Sequence, residues 1–579
     1  MTTSHAPPSL GTALDVTAVT RHLCAGVYVD ERFRDLVIDE VCTAPHRRVA
    51  PSYGFDIVPV MHHAWRAAAL SALPRLMVLA AVVGPVLTGA IPVAVLVASG
   101  FSLLLLARLA LVLRAMDQTA PAQASKRHSR SRGPLRAHRY LLRFLFPRVI
   151  TRKAFAVKRV AVAATWLALT IVVTAFVFPR QGVLALFVAA AITLVYLTTG
   201  AARQLTLNRI LRTPTLRPTR LSGRQRAADR QQRHMCAVYR RPRHADDEDN
   251  DDLTMFTLFG DESPFVGAGE LVYQWNPPMS IQLLRPDTDE EPLHEREHSV
   301  PPFQAHELVD YLRDAVLPLN ADSQDVRLPA DVQDRVYVAE TDVAVDRSLL
   351  PHHFTRDELC TIINTPESKQ HHFLEVTTPA DGSEFVATVL LRVSLQGRTL
   401  SLSTAACVLA HTPRSFQRVE EFGHHGAAAV IWAAFNGLGA LPSDIQHSWR
   451  IFRYFYTLAK AAALPRDLTL NPIRNILIGS RVSIREDASQ AWTKIQLEKS
   501  DILGRLKTIE QRLLSATSDF LQTRGVDTSA FDDRALKIIN SGIFNFGDNN
   551  TFTNNAVGDA AQVNVAANQP AQPANGAAT

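Results

Sequence analysis

The chain has 579 residues, 47% of them apolar and 20% charged, with a formal net charge of +6. This length exceeds one ordinary domain, and the apolar share is enough for a sizeable core. Five cysteines at irregular spacings, none in a CxxC pair, argue against a disulfide frame or a zinc ribbon and for a reducing compartment.

The start "MTTSHAPPSLGTALD" has neither a basic beginning nor an apolar run, so it does not read as a signal peptide. Residues 14–43 place apolar side chains at helical spacing and predict two short helices. The loop "APSYGFDIVP" then completes an N-terminal cytosolic segment, 1–66. Two apolar tracts follow, 69–88 and 91–113, split at Gly89-Ala90. A second pair, 160–178 and 183–199, is split by "PRQG". Each tract approaches the roughly 20 residues a helix needs to cross a bilayer. The expectation is four spans in two hairpins, 67–114 and 160–200. Arg75 and Arg108 lie near span ends, where they can snorkel.

The flanks set the orientation. The basic loop 115–159 and its borders, Arg114 to Arg159, carry thirteen Lys or Arg and one acid, and residues 203–243 add twelve arginines. The positive-inside rule puts both termini and the middle loop in the cytoplasm, at a bacterial inner membrane. Topology thus explains the positive charge without nucleic acid, since no aromatic residues interleave the clusters.

A charged linker, 201–252, ends in "DDEDNDD". Residues 253–480 read as a cytosolic α+β domain, with strands in "ELVYQW" and "MSIQLLR", a helix over 303–317, a hairpin turning at Gln396-Gly397, and helices resuming over 414–464. From 495 to 520 a 4-3 spacing runs Ile495, Lys499, Ile502, Leu506, Ile509, Leu513, Ala516, Phe520. Within the predicted helix 481–525 it has two readings: a parallel coiled coil, or the last helix of the α+β domain packing inward.

Three local motifs invite chemistry. "HEREH" at 294–298 matches HExxH, but Pro292, Pro301 and Pro302 flank it and no apolar helix surrounds it, so a solvated loop is favoured over a zinc site. "FVGAGE" at 265–270 carries Gly-x-Gly but leads into a strand, which favours a tight turn over a phosphate cradle. Histidine pairs at 62–63, 352–353, 371–372 and 424–425 read as ordinary surface or core residues. No catalytic, metal or cofactor residues are assigned.

The tail, 526–579, has no Lys or Arg after Lys537 and repeats an eleven-residue unit. Phe546, Gly547, Asp548 and Phe552 align with Val557, Gly558, Asp559 and Val563, with Phe544 and Asn549 beside them. Each unit is expected to form a short β-arch with a Gly-Asp corner. Two arches are too few for a stable solenoid, but copies from several chains can complete the stack. A polar tail without order in the monomer is the competing reading.

Two resemblances add to this. "RHLCAGVYVDERFRDLVIDEV", "APSYGFDIVPV", "SPFVGAGELVYQW" and "VSLQGRTL" resemble segments of a group of actinobacterial membrane proteins over residues 16–480, which implies the architecture and no reaction. Residues 540–566 resemble bacterial amyloid-signalling motifs akin to the RIP homotypic interaction motif, carried by Phe546, Gly547, Asp548, Asn549, Val557, Gly558 and Asp559. The second unit has Ala560 and Ala561 where the first has Asn549 and Asn550. The expected role is a non-enzymatic membrane-anchored signalling or effector protein. Its partners would be the bilayer, itself through the tail and through 495–520, and a sensor with a matching motif. An enzyme with a site assembled from distant residues in 253–480, and a passive envelope scaffold, are the alternatives.

Overall fold

The computed structural model describes residues 17–118, 153–240, 264–275, 277–286, 292–320, 330–379, 384–423, 426–469, 478–480, 482–495 and 498–540. The tail calls from Phe544 to Val563 lie outside the described residues.

Polar caps start the N-terminal helices. Thr17 caps α1 (Ala18–Val29), and Asp30 ends it and caps α2 (Glu31–Leu36) through bonds from the Arg32 and Phe33 amides at 2.8 and 3.3 Å. A π-helical turn, Val37–Cys42, follows. Asp56 then caps the long helix α3 (Ile57–Leu87). Its first turns are not membrane surface. Ile57, Val60, Met61 and Ala64 join Leu23, Val27 and Val37 in one buried cluster with Leu207 and Ile210.

Among the described residues three helices are long and apolar enough to cross a membrane: α3, the stretch Ile91–Leu111 of α4 (Ile91–Gln118), and α6 (Pro179–Arg212). Between α4 and α6, α5 (Lys153–Val177) packs on α4; its stretch Val162–Val177 is apolar but shorter. Gly89, at φ +75°, makes the turn between α3 and α4 where the sequence places it. Arg75 does not snorkel. It is buried, its Nε donates to Asp444 Oδ1 at 3.0 Å, and its guanidinium donates to Glu31 at 2.5 Å. An acid 369 residues away and another from α2 neutralise it, which local sequence cannot show.

After α7 (Gly223–Gln232), capped by a Ser222/Gln225 box, the soluble unit is built on one mixed sheet. Its order is β1 (Cys236–Tyr239), β4 (Asp331–Ala339), β5 (Gln370–Pro379), β6 (Val386–Gln396), β7 (Thr399–Leu409), β2 (Glu270–Gln274), with β3 (Met279–Gln282) also on β7. Only the β1–β4 pair is parallel. The β6–β7 hairpin pairs Gln396 with Thr399, so its two-residue turn is Gly397-Arg398, with Gly397 at φ +58°.

Strand alternation buries both faces. Ala387, Val389, Leu391 and Val393 of β6 face a core shared with α8 (Ala305–Val316), α14 (Glu498–Thr523) and α15 (Ser529–Asn540). Val386 and Leu390 face Tyr53, Phe265 and Tyr337. The 495–520 seam therefore points inward. Ile502, Leu506, Ile509, Leu513, Ala516 and Phe520 are buried against the sheet and α8, while Lys499 stands over the Trp492 ring at 5.2 Å.

The α+β unit draws in residues beyond the 253–480 limits, from β1 upstream to α15 downstream. The helices over 414–464 lie apart from that core. These are α10 (Arg414–Gly423), α11 (Gly426–Leu438), α12 (Leu441–Gln446) and α13 (Arg450–Ala463). They pack on α1, α3, α4 and α6.

Candidate functional site

The local motifs resolve first. "HEREH" forms a single helical turn, Leu293–Arg296, and then extended chain. Arg296 is buried and donates to the Asp527 carboxylate at 2.6 Å, Glu297 pairs with Arg398 at 2.5 Å, and His294 stays exposed. Two imidazoles on one helical face, the geometry a zinc site needs, do not form. Among the described residues no three His, Cys, Asp or Glu side chains gather as a metal-ligating group.

The Gly-x-Gly turn binds a carboxyl group of the protein's own. Gly267 and Gly269 sit at φ +100° and +105°, and their amides donate to Glu486 Oε1 at 2.7 and 2.8 Å. A Cβ on Gly269 would lie 2.3 Å from the Val408 carbonyl oxygen, so glycine is required there. Burial raises the Glu486 carboxyl, the two amides partly oppose it, and the net value is about 7. The folded state therefore holds this proton better than the unfolded state, whose value is near 4.5. The stabilisation is complete below about pH 4.5 and is lost as pH rises to about 7, on the order of 3 kcal/mol in total. Denaturant titrations of Glu486→Gln between pH 4.5 and 8 should lack this decline; an unchanged pH slope would refute the assignment.

The histidine pairs separate. His63 Nδ1 is 3.1 Å from Tyr28 Oη, and His372 Nε2 is 2.9 Å from Asp334 Oδ1. His424 and His425 lie outside the described residues. A buried polar knot unseen in the sequence joins His22 of α1 to Glu384 and Thr412. Burial alone would raise the Glu384 carboxyl, but bonds from His22 and the Thr412 amide, with His411 nearby at 3.6 Å, hold it well below the usual range. With Arg485 donating to the Tyr53 and Glu384 carbonyls, this knot fastens the N-terminal helices to the sheet.

The remaining pair, His352 and His353, lines an internal cavity. A cavity of about 780 Å³ lies between α7, the loop before Ile57 and the segment 347–354, a size typical of small-molecule sites. Arg48, Arg230, Arg233 and Arg347 line it with His234, His352 and His353, and Asp467 is the one acid among its lining residues. Arg230 and Arg233 are exposed at the mouth, and Arg233 is held by Asp229 at 3.3 Å.

Arg48 is different. It is only 7% exposed, and its guanidinium has no hydrogen-bond or ion-pair partner among the described residues. Its backbone is fixed: the Arg48 amide donates to the Ile478 carbonyl at 2.9 Å, and the Val49 amide donates to Gln231 Oε1 at 3.1 Å. Asp467 is already engaged, accepting from Gln231 Nε2 at 3.1 Å and from the Thr469 amide and hydroxyl at 2.9 and 2.6 Å. Burial lowers the Arg48 pKa from its ordinary value, only partly offset by Cys236 and Asp467. A bound anion would reverse that cost.

His234 shapes the rim. Its pKa is lowered by burial and then by Arg48. Nδ1 accepts from the Cys236 amide at 3.0 Å, which leaves Nε2–H to donate to the Pro351 and His352 carbonyls, both at 3.1 Å. This tautomer anchors the segment bearing His352 and His353 to the start of β1. The arrangement can hold a multiply charged oxyanion between a buried guanidinium and a cationic mouth.

From the sequence, Arg230 and Arg233 read as membrane-topology charges and His352 and His353 as ordinary surface or core residues. Arg48 drew no attention, because an unpaired buried arginine is a property of packing alone.

No curated protein matches the chain, and no solved structure matches it. The one family finding covers the last residue of β2 through α15 and the first repeat unit of the tail. Its residues include Arg347, His352 and Asp467 of the cavity, while Arg48, Arg230 and Arg233 precede it. It overlaps the 16–480 resemblance only from 274 to 480, and what the chain matches over residues 274–553 is the model of an AbeC-like domain.

Proposed function

We propose that this chain is a membrane-anchored signalling or effector protein whose cationic cavity receives a small phosphorylated ligand and whose tail passes the response to matching tails. In this reading α5 is the fourth span, both termini face the cytoplasm at a bacterial inner membrane, and residues 540–566 stack with copies of themselves or with a sensor's like motif. The carrying observation is Arg48, a buried guanidinium facing a cavity with four arginines among its lining residues. A charge so placed is costly to bury unless an anion joins it. Exposed arginines at the mouth would draw such a ligand in. The tail's contribution rests on its in-phase repeat of apolar, Gly and Asp positions.

The test uses the full chain in lipid nanodiscs, titrated with inorganic phosphate, pyrophosphate and ATP while thermal unfolding is followed. A saturable rise in Tm is expected for at least one probe, weakening as salt increases. Arg48→Met should shift the half-saturating concentration at least about tenfold, as expected for losing a buried charged contact. No saturable shift with any probe, or an equal shift in Arg48→Met, would refute ligand binding. For the tail, Gly547→Pro should abolish sedimentable, dye-binding assemblies of the ligand-loaded protein; persistence of such assemblies would sink the homotypic output.

A further inference from the structure

The helices after β7 expose an unusual surface. α11 (Gly426–Leu438) carries no charged residue, and none of its residues is buried. It lies along α6 in close backbone contact: a Cβ on Gly200 would stand 2.7 Å from the Ala433 carbonyl oxygen, and one on Gly437 2.9 Å from the Tyr196 carbonyl oxygen. Small residues at a close helix crossing are the packing mode of helices in lipid. The opposite face turns outward, with Trp432 68% exposed and Phe435 60%. At 13 residues α11 spans about 20 Å, too short to cross a bilayer.

α13 continues the pattern. Trp449, just before it, and Phe452, Phe455 and Tyr456 are exposed, and Arg453, between Trp449 and the buried Thr457 around the helix, reaches Asp39 at 2.6 Å. Its sequence "RIFRYFYTLAKAAA" has no acid, and two of its three cations are paired, Arg450 with Glu31 at 3.5 Å and Arg453 with Asp35 at 3.5 Å and Asp39. The sole acid in 426–463, Asp444, is neutralised: it accepts from Arg75 Nε at 3.0 Å and from Tyr196 Oη at 3.2 Å. These bonds tie the turn between α11 and α13 to two of the apolar helices. Leu438, Leu441 and Ile445 pack on the same cluster as Val78, Val93 and Ile192.

We propose that Gly426–Ala463 is a bilayer-docking element whose aromatic face sits in the headgroup–acyl boundary of the membrane beside α6. The occupant is lipid because this face continues the exposed apolar surface of α3 and α6, where Leu73, Leu76 and Leu194 are also uncovered. Outward-facing Trp, Tyr and Phe rings suit that boundary. Docking ties the soluble unit to the membrane through a surface separate from the spans.

The test uses full-length protein in nanodiscs of phosphatidylcholine and phosphatidylglycerol with acyl chains brominated at shallow or deep positions. Tryptophan quenching by shallow bromines is expected. Trp432→Phe/Trp449→Phe should lower the quenchable fraction, whereas Trp275→Phe, in the soluble core, should not. Independently, Phe452→Cys should react with a water-soluble maleimide at least about fivefold more slowly in nanodiscs than Val345→Cys, which stands in water. An unchanged quenchable fraction in the double variant together with equal labelling rates overturns the proposal. Slow labelling without lipid quenching assigns the face to a second protein copy and overturns it equally.

Discussion

Replacing Arg335 by Met is expected to lower the unfolding free energy by about 3–5 kcal/mol, because it strands a buried carboxylate. Arg335 and Glu375 form a two-pronged pair, Nε to Oε2 at 2.9 Å and Nη2 to Oε1 at 3.1 Å, and both are nearly inaccessible to water. Tyr53 also donates to Glu375 at 2.9 Å and cannot neutralise it alone. The Arg335 guanidinium further donates to the His234 carbonyl at 3.0 Å, so the pair supports the histidine that sets the cavity rim. Denaturant unfolding of the full chain, followed by tryptophan fluorescence, measures the loss. Arg335→Met/Glu375→Leu should recover most of it, since removing both charges removes the desolvation problem. A double variant as unstable as the single would show that packing, not stranded charge, sets the cost.

Ile509→Ala should cost about 2–5 kcal/mol and leave the oligomeric state unchanged. Ile509 is fully buried between the sheet and α8, flanked along its stripe by Leu506 and Leu513. In the coiled-coil reading the same change would weaken self-association and spare the fold. Denaturation together with light scattering of the full chain separates the two: a stable fold with a shift towards monomer would overturn the inward placement of this seam.

The seam shows where local pattern stops being informative. A 4-3 apolar repeat states that one helix face must be covered, but a neighbouring copy and the chain's own sheet cover it equally well. Two residues outside the stripe hint at the outcome. Trp275 Nε1 donates to Glu510 at 2.5 Å, and Arg512 donates to the Ala315 carbonyl at 3.0 Å. Both are contacts across long stretches of chain, which helix periodicity does not encode. The helices over 414–464 pose the same difficulty in reverse. Their apolar spacing predicts helices, yet α11 and α13 leave their aromatic faces outside the soluble core.

Legibility in this chain follows the range of the interaction. Apolar runs of bilayer length, arginine-dense flanks, the turns at Gly89 and Gly397, and the turn character of Gly267–Gly269 are local properties, readable because adjacent residues suffice to cause them. The eleven-residue repeat is likewise a fact of sequence alone. Tertiary structure decided the rest: that Arg75 meets Asp444, that Glu486 occupies the glycine amides, that Arg335 meets Glu375, and that Arg48 faces a cavity without an acid within ion-pair reach among the described residues. Each depends on groups brought together by chain closure, and the free energy of a buried charge is set by its surroundings in space, not by its neighbours along the chain.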